Sequence, residues 1–425
     1  MKNANFSLYK LCTICAVFSH LVKATLKFYE KYPNIHNNAT TIQAETDMKK
    51  LKKQLIDQIP SPVKNDHGNE PPPGLSIRET YQARENNFIS PFGCPSALAE
   101  ERSRPEAPCS IRTPFQLDRD RIVYSNAFRR LKYKTQVFLS PLGDHYRTRM
   151  THTLEVSETA RNIARAMRLN EDLAEAIALG HDLGHTPFGH GGETALKEIY
   201  HPDFTHNEQS LRVVEILENK GAGLNLTPEV RDGILKHSKG FGDIMPSTPG
   251  ATATTLEGKV VRIADIIAYL NHDLDDALRS GVITRNEIPA ICTRELGNNH
   301  PQRARAMIQS LVYCSVPQDN EFQLCMGEKI YTAMITLRGF LYEEVYRSPS
   351  VHKEFIKAKK VLKELYQHFI ENLDSMQEEL EKMEMAPWDG ERATLERTAC
   401  DIIASMTDRY ALQLYSKLFF PQPHV

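Results

Sequence analysis

His181-Asp182-Leu183-Gly184-His185-Thr186-Pro187-Phe188-Gly189-His190-Gly191-Gly192-Glu193 packs three imidazoles and two carboxylates into one short segment broken by four glycines and a proline. Such a mixture is costly to bury, because an unpartnered polar group loses several kcal/mol on leaving water. His181 and Asp182 therefore need partners, and a metal or a catalytic network is the usual supplier. Imidazole and carboxylate together suit a divalent cation that works on phosphate.

The flanks place this block among helices. Leu173, Ala174, Ile177, Ala178 and His181 follow a 3.6-residue period, so the block closes a helix. His152, Val156, Ala160, Ile163, Ala164 and Met167 mark the helix before it. Leu211, Val214 and Leu217 mark another, and Val260, Ile263, Ala264, Ile267, Leu270 and Leu274 a long one. Residues 330–346, 351–372 and 395–419 repeat the pattern, and clean period-two alternation is rare. The expected fold is all-α, many packed helices with little sheet.

A second signal lies on the long helix. Asp265, Tyr269, His272, Asp273 and Asp276 form one polar stripe beside the apolar one. A polar stripe is usually a solvated face, and Asp275 and Asp276 are read that way. Small and apolar neighbours (Val261, Ala264, Ala268) put the Asp265 end in the interior, where a carboxylate wants a cation. His152, His181, Asp182 and Asp265 then make a mixed nitrogen and oxygen ligand set from three helices, suited to Mn, Fe, Zn or Mg. His152 alone would be read as a satisfied core histidine; the His181-Asp182 pair carries the argument.

His190 and Glu193 sit in the tight turn into the next helix. A Glu three residues after a His can bond its ring and raise its pKa, as a general acid requires. The plainer reading makes Glu193 a first-turn residue favoured by the helix dipole. His185 and His206 taken singly are read as surface histidines. Arg129, Arg130, Lys132, Lys134, Arg147 and Arg149 form a cationic cluster suited to phosphate oxygens, although such runs are more often solvated faces. No GxxxxGK[ST] loop occurs, nor a GxGxxG after a strand, so phosphate would be handled by metal and arginine.

The 425-residue chain has a formal net charge of -2, which gives no support to nucleic acid as a partner. Its eight scattered cysteines predict a reducing compartment without a disulfide framework. The fairly apolar residues 8–28 contain Lys10, His20, Lys23 and Lys27. They read as a tail, a poor leader or the product of an upstream start codon, not a membrane anchor. Residues 1–76 are expected to be a poorly structured extension with at most a short helix over 42–59, and residues 77–117 look loop-like.

The order His152, His181-Asp182, Asp265 resembles the signature of HD-domain metal phosphohydrolases. Residues 128–138 (FRRLKYKTQVF), 181–193 and 261–273 (VRIADIIAYLNHD) resemble the deoxyguanosine triphosphate triphosphohydrolase-like, or dGTPase, branch. Similarity runs over about residues 78–418, ending with Met406-Thr407-Asp408-Arg409-Tyr410. The resemblance implies a multi-helical HD fold with a core over about 118–285 and a helical C-terminal part over about 286–425, in one unit from residue 77. It implies cleavage of a dNTP at the α-phosphorus to a deoxynucleoside and inorganic triphosphate. It implies one divalent metal on His152, His181, Asp182 and Asp265, and a catalytic His190 with Glu193 beside it. His185 and His206 match histidines lining the α-phosphate region, and Arg149 a phosphate contact. Gln136, Tyr269 and Asp273 match residues that hold the deoxyribose. A Tyr ring against the sugar C2′ would exclude ribose.

Ile266 departs from the pattern, standing where many relatives carry a polar residue. The resemblance also implies a symmetric homo-oligomer, in some relatives an activating dNTP, and a cytoplasmic location with no membrane partner. The rival readings are another HD phosphohydrolase acting on nucleotides, and a non-catalytic nucleotide-sensing scaffold of the same fold.

Overall fold

Three helices cross at the centre of the molecule because their small and branched apolar faces match. In the computed structural model, which describes residues 76–138, 147–238, 242–246, 250–318 and 321–421, these are α4 (Arg149–Ala166), α5 (Glu171–Gly180) and α9 (Leu256–Ser280). Val156, Ala160 and Ala164 on α4 meet Leu173, Ala174 and Ile177 on α5 and Val260, Ile263 and Ala264 on α9, all at or near zero exposure. Each branched side chain so buried contributes about 1.5–3 kcal/mol. Side-chain caps fix where the helices begin. Thr148 caps α4, Asn170 accepts from two backbone amides of α5, and Thr255 caps α9. Gly281, left-handed at φ 72°, ends α9.

Around this trio lie α1 (Ile77–Phe88), α2 (Pro114–Tyr124), α3 (Asn126–Arg130), α6 (Gly189–Ile199), α7 (His206–Arg212), α8 (Pro228–Lys236), α10 (Ala290–Glu295), α11 (His300–Cys314) and α12 (Glu328–Phe340). The C-terminal part holds α13 (Pro349–Glu371), α14 (Leu373–Lys382), α15 (Arg392–Ser405) and α16 (Asp408–Phe419). Strands β1 (Val316–Gln318) and β2 (Glu321–Gln323) form one antiparallel hairpin, with Val316 opposite Gln323. The all-α expectation holds, with sheet confined to that hairpin among the described residues.

Two apolar cores result. The first runs from Phe115 to Val345 around the central trio. The second gathers Leu362, Leu365 and Phe369 of α13 with Ile402 and Ile403 of α15, and takes Phe188, Leu196 and Phe204 from the histidine-rich segment. Helix α6 therefore carries its chain from one core to the other. Polar links join them. The Lys134 ammonium, 1 % exposed, donates to the carbonyls of His185 and Ala404, the latter at 2.8 Å. Asp408 accepts from the amides of Thr135 (3.1 Å) and Phe188 (2.9 Å) and from the Thr135 hydroxyl (2.5 Å).

Several expectations are corrected. Residues 77–117 are not all loop: α1 forms behind a Ser76–Glu79 capping box. Its buried residues are Gln82 and Glu85, so no apolar period betrays it. The segment 395–419 is two helices, because Thr407 caps a new one at Asp408. The segment 330–346 leaves α-helical geometry after Phe340 and finishes as a π-helical turn, Leu341–Tyr346. The expectations for residues 1–75 lie outside the described residues. No helix among the described residues is long and apolar enough to cross a membrane, and Cys94, Cys109, Cys292, Cys314, Cys325 and Cys400 are unpaired.

Candidate functional site

The end of α5 aims His181 inward. As the C-cap, His181 donates from Nδ1 to the Ala178 carbonyl at 2.6 Å, using an acceptor that the helix end leaves free. Its Nε2 is then the atom turned toward the site, and it is buried without a hydrogen-bond partner. It lies 3.5 Å from Asp182 Oδ1 and 3.9 Å from Asp265 Oδ1. His152, one turn into α4, places Nε2 3.1 Å from Asp265 Oδ1 and 3.9 Å from Asp182 Oδ2. Four donors from α4, the end of α5 and α9 thus converge. Burial would raise both carboxyls, but nearby positive charge outweighs it. His181 and Arg149 hold Asp182 well below the carboxylate range, and His152 and His181 hold Asp265 at about 2. Two ionised carboxylates and an orphaned imidazole nitrogen fit a divalent cation, and this donor chemistry suits Mn, Mg, Fe or Zn.

An open cleft leads to this cluster. Gln136, Arg149, His152, Asp182, His185, His190, His206, Asp265, Tyr269 and Asp273 line it, so ten of the twelve residues singled out in the sequence meet in one cleft. His181 and Glu193 stand behind its wall, where His181 is fully buried and Glu193 is 8 % exposed. Arg149 Nη1 bonds Asp182 Oδ2 at 2.7 Å.

Glu193 does not bond His190, and the expected rise in the His190 pKa is not found: burial pushes it down to about 4. Glu193 bonds Nδ1 of His206 at 2.9 Å and pairs with Lys197 at 3.0 Å, one turn along α6. His206 Nε2 lies 3.3 Å from His237 Nε2. His237 caps the end of α8 and donates from Nδ1 to the Ile234 carbonyl at 2.6 Å, so its Nε2 is an acceptor. His206 satisfies both contacts only by donating from both nitrogens, an arrangement that favours the imidazolium. Burial opposes that charge, but Glu193 outweighs burial and raises the pKa of His206. His185 stacks on His206 with ring centroids 4.4 Å apart, and its pKa is pushed well down by burial and by the charge of Arg149.

At the other side of the cleft Tyr346 donates to Asp273. Burial lifts Asp273 to about 7. Tyr269 stands one turn before Asp273 on α9. Tyr346, Ser238 and His237 were not found from sequence. Tyr346 arrives through the π turn, which breaks the helical period. His237 repeats the placement of His181 at a helix end, and that parallel was the available signal.

The cationic cluster does not converge. Arg129 and Lys132 are exposed, Arg130 pairs with Glu218 at 3.5 Å, Arg147 reaches Asp276, and Lys134 is buried between carbonyls. Of the six, Arg149 alone lines the cleft. Asp275 and Asp276 are not a solvated face either. Asp276 is 4 % exposed beside Arg147 and Arg279, and Asp275 binds His300 and Arg303.

Two glycines explain the broken helix in the histidine-rich segment. A Cβ on Gly184 would lie 2.1 Å from the Ser210 amide, so only glycine lets α7 approach. Phe188 and Gly189 are both left-handed (φ 63° and 58°), and a Cβ on Gly189 would sit 2.0 Å from the Gln136 carbonyl. The strain at Phe188 is held by the hydrogen bond that its backbone N–H donates to Asp408.

Comparison with known proteins agrees with this geometry. Residues 149–270 match the HD domain, and residues 324–417 match the phosphohydrolase-associated domain. A deoxyguanosinetriphosphate triphosphohydrolase-like protein of Desulfatibacillum aliphaticivorans is 61% identical over 351 residues, covering 83% of this chain and 100% of that protein. Proteins of the same description from Caldanaerobacter subterraneus subsp. tengcongensis and Clostridium tetani are 48% and 40% identical, each covering 82% of this chain and 97% of their own length.

Proposed function

Because this chain belongs to the deoxyguanosinetriphosphate triphosphohydrolase-like family of HD-domain phosphohydrolases, we propose that it is a metal-dependent dNTP triphosphohydrolase. The observation that carries the reading is the convergence of His152, His181, Asp182 and Asp265 at one end of a cleft. A cation held there supplies Lewis acidity toward an α-phosphate oxygen and toward water. The imidazolium of His206 and the guanidinium of Arg149 offset charge on the phosphates. Water adds its oxygen to the α-phosphorus, and the bond from that phosphorus to the 5′ oxygen breaks. The 5′ oxygen takes a proton from His190, and the proton released by water passes to solvent. Tyr269, Asp273 and Gln136 hold the deoxyribose, with Asp273 accepting from the 3′ hydroxyl.

Purified protein should release inorganic triphosphate from at least one dNTP in the presence of Mn²⁺ or Mg²⁺. The four dNTPs are assayed singly and in pairs, since an activating dNTP is one expectation of the family. Release of pyrophosphate or phosphate instead would move the protein to another HD phosphohydrolase activity. Tight nucleotide binding without turnover would make it a sensor.

A further inference from the structure

Helix position explains why His181 needs no help to present its Nε2. A C-terminal turn has free carbonyls, and both His181 and His237 use one three residues back. His152 sits near the start of α4, where the carbonyls behind it are already taken, its own amide bonding the Thr148 oxygen at 3.1 Å. Its Nδ1 needs an acceptor from elsewhere. The atom it meets is Nδ1 of His272 at 3.4 Å, on α9. The two rings are nearly perpendicular (77°), and both residues are at most 2 % exposed. The other His272 nitrogen, Nε2, bonds one oxygen of Glu155. The second Glu155 oxygen receives Nε2 of His300 at 2.5 Å, and His300 Nδ1 reaches Asp275 at 3.1 Å. Arg303 closes the chain on Asp275 (2.6 Å) and Asn271 (2.9 Å).

The direction of every proton in this chain follows from Glu155. A carboxylate only accepts, so His272 donates from Nε2 and leaves a lone pair on Nδ1. That lone pair accepts Nδ1–H of His152, which leaves Nε2 as the atom facing Asp265 and Asp182; it donates to Asp265 at 3.1 Å and would give up that proton to a bound cation. We propose that Glu155 and His272 are positioning residues for the cation site, fixing the tautomer and ring angle of His152 through an imidazole inserted between carboxylate and ligand. A carboxylate set directly on a ligand histidine is the commoner arrangement. Here the gap between α4 and α9 is spanned by a second ring. The proposal rests on the metal-dependent reading above.

The test measures manganese affinity of the full chain by chelator competition, with the metal alone as probe, together with ion stoichiometry and metal-free thermal melting. His272→Phe keeps the ring volume without nitrogen, and Glu155→Ala removes the acceptor. Both are expected to weaken Mn²⁺ binding by about 10–100-fold, with the metal-free protein still folded but melting at a lower temperature because each change leaves a buried partner unpaired. Glu155→Gln still offers an amide oxygen to His272 and is expected to stay within about threefold of wild type. A merely structural role would not separate glutamine from alanine in this way. If His272→Phe fails to fold, the Glu155→Ala and Glu155→Gln contrast decides. Unchanged affinity in folded His272→Phe overturns the proposal alone. So does a second manganese ion that Glu155→Ala abolishes, because the cluster would then be a cation site itself. A wild-type protein that binds no manganese overturns the hydrolase reading along with it.

Discussion

Glu193 bonds His206, which lies 13 residues away on another helix, and not His190, three residues away on its own. This separates two imidazoles that sequence spacing merges. His206 is charged through Glu193 and His237, while His190 is the accessible ring opposite Tyr346. Glu193→Gln is expected to lower kcat by about 10²–10³ without loss of fold, since the amide no longer favours the imidazolium. His190→Ala should lower kcat by a similar factor while leaving His206 charged. NMR titration of the His206 ring in both variants checks the assignment: only Glu193→Gln should depress its pKa.

Asp273 and Tyr346 form the polar end of the wall proposed to hold the sugar. Asp273→Asn is expected to raise KM for dGTP about tenfold, and kcat should fall less, if the contact serves binding more than the transition state. With Tyr269 against C2′, GTP should turn over at least 10²-fold more slowly than dGTP, a discrimination of about 2.7 kcal/mol. Equal turnover of the two nucleotides would remove the assignment of Tyr269.

His300 is expected to give the protein a pH-dependent stability. Hydrogen bonds to Asp275 and Glu155 outweigh burial and raise its pKa to about 9. The folded value lies above the ordinary one near 6.5, so the protonated form favours the fold. That contribution is complete below about pH 6.5 and is lost as pH rises through about 9. Urea unfolding at pH 6 and pH 9.5 should show a loss of about 1–3 kcal/mol in wild type. In His300→Gln the loss should be smaller by most of that amount.

Asp408 ties the second core to the entrance of α6. Asp408→Ala strands the buried amides of Phe188 and Thr135 and should destabilise the fold by about 2–4 kcal/mol. Because Phe188 is held left-handed by that bond, kcat should fall even at temperatures where the variant is fully folded. Denaturant melts and steady-state rates on the same preparation separate the two effects.

Much of this was legible in the chain. The His181-Asp182 pair and the polar stripe on α9 announce themselves through local spacing, since residues four apart on a helix share a face. Tyr346, Asp408 and the Glu155–His300 contact were not legible. Each acquires its role from a partner far along the chain, and hydrogen bonds between distant segments leave no period to read. Helix α1 was missed for the opposite reason, because Glu85 on its inner face is polar, buried and satisfied by Ser96. The cationic run misled because side-chain direction, not density of charge, decides what meets a ligand.

The four cation-facing side chains stand on helices of the first core, whereas His190 opens a helix whose far side is embedded in the second. On the proposed reading the protein would hold its ion with one body and its proton donor with another. Changes far out on α13 or α15 have a mechanical route to retune the pace of bond breaking while the grip on the ion stays as it was.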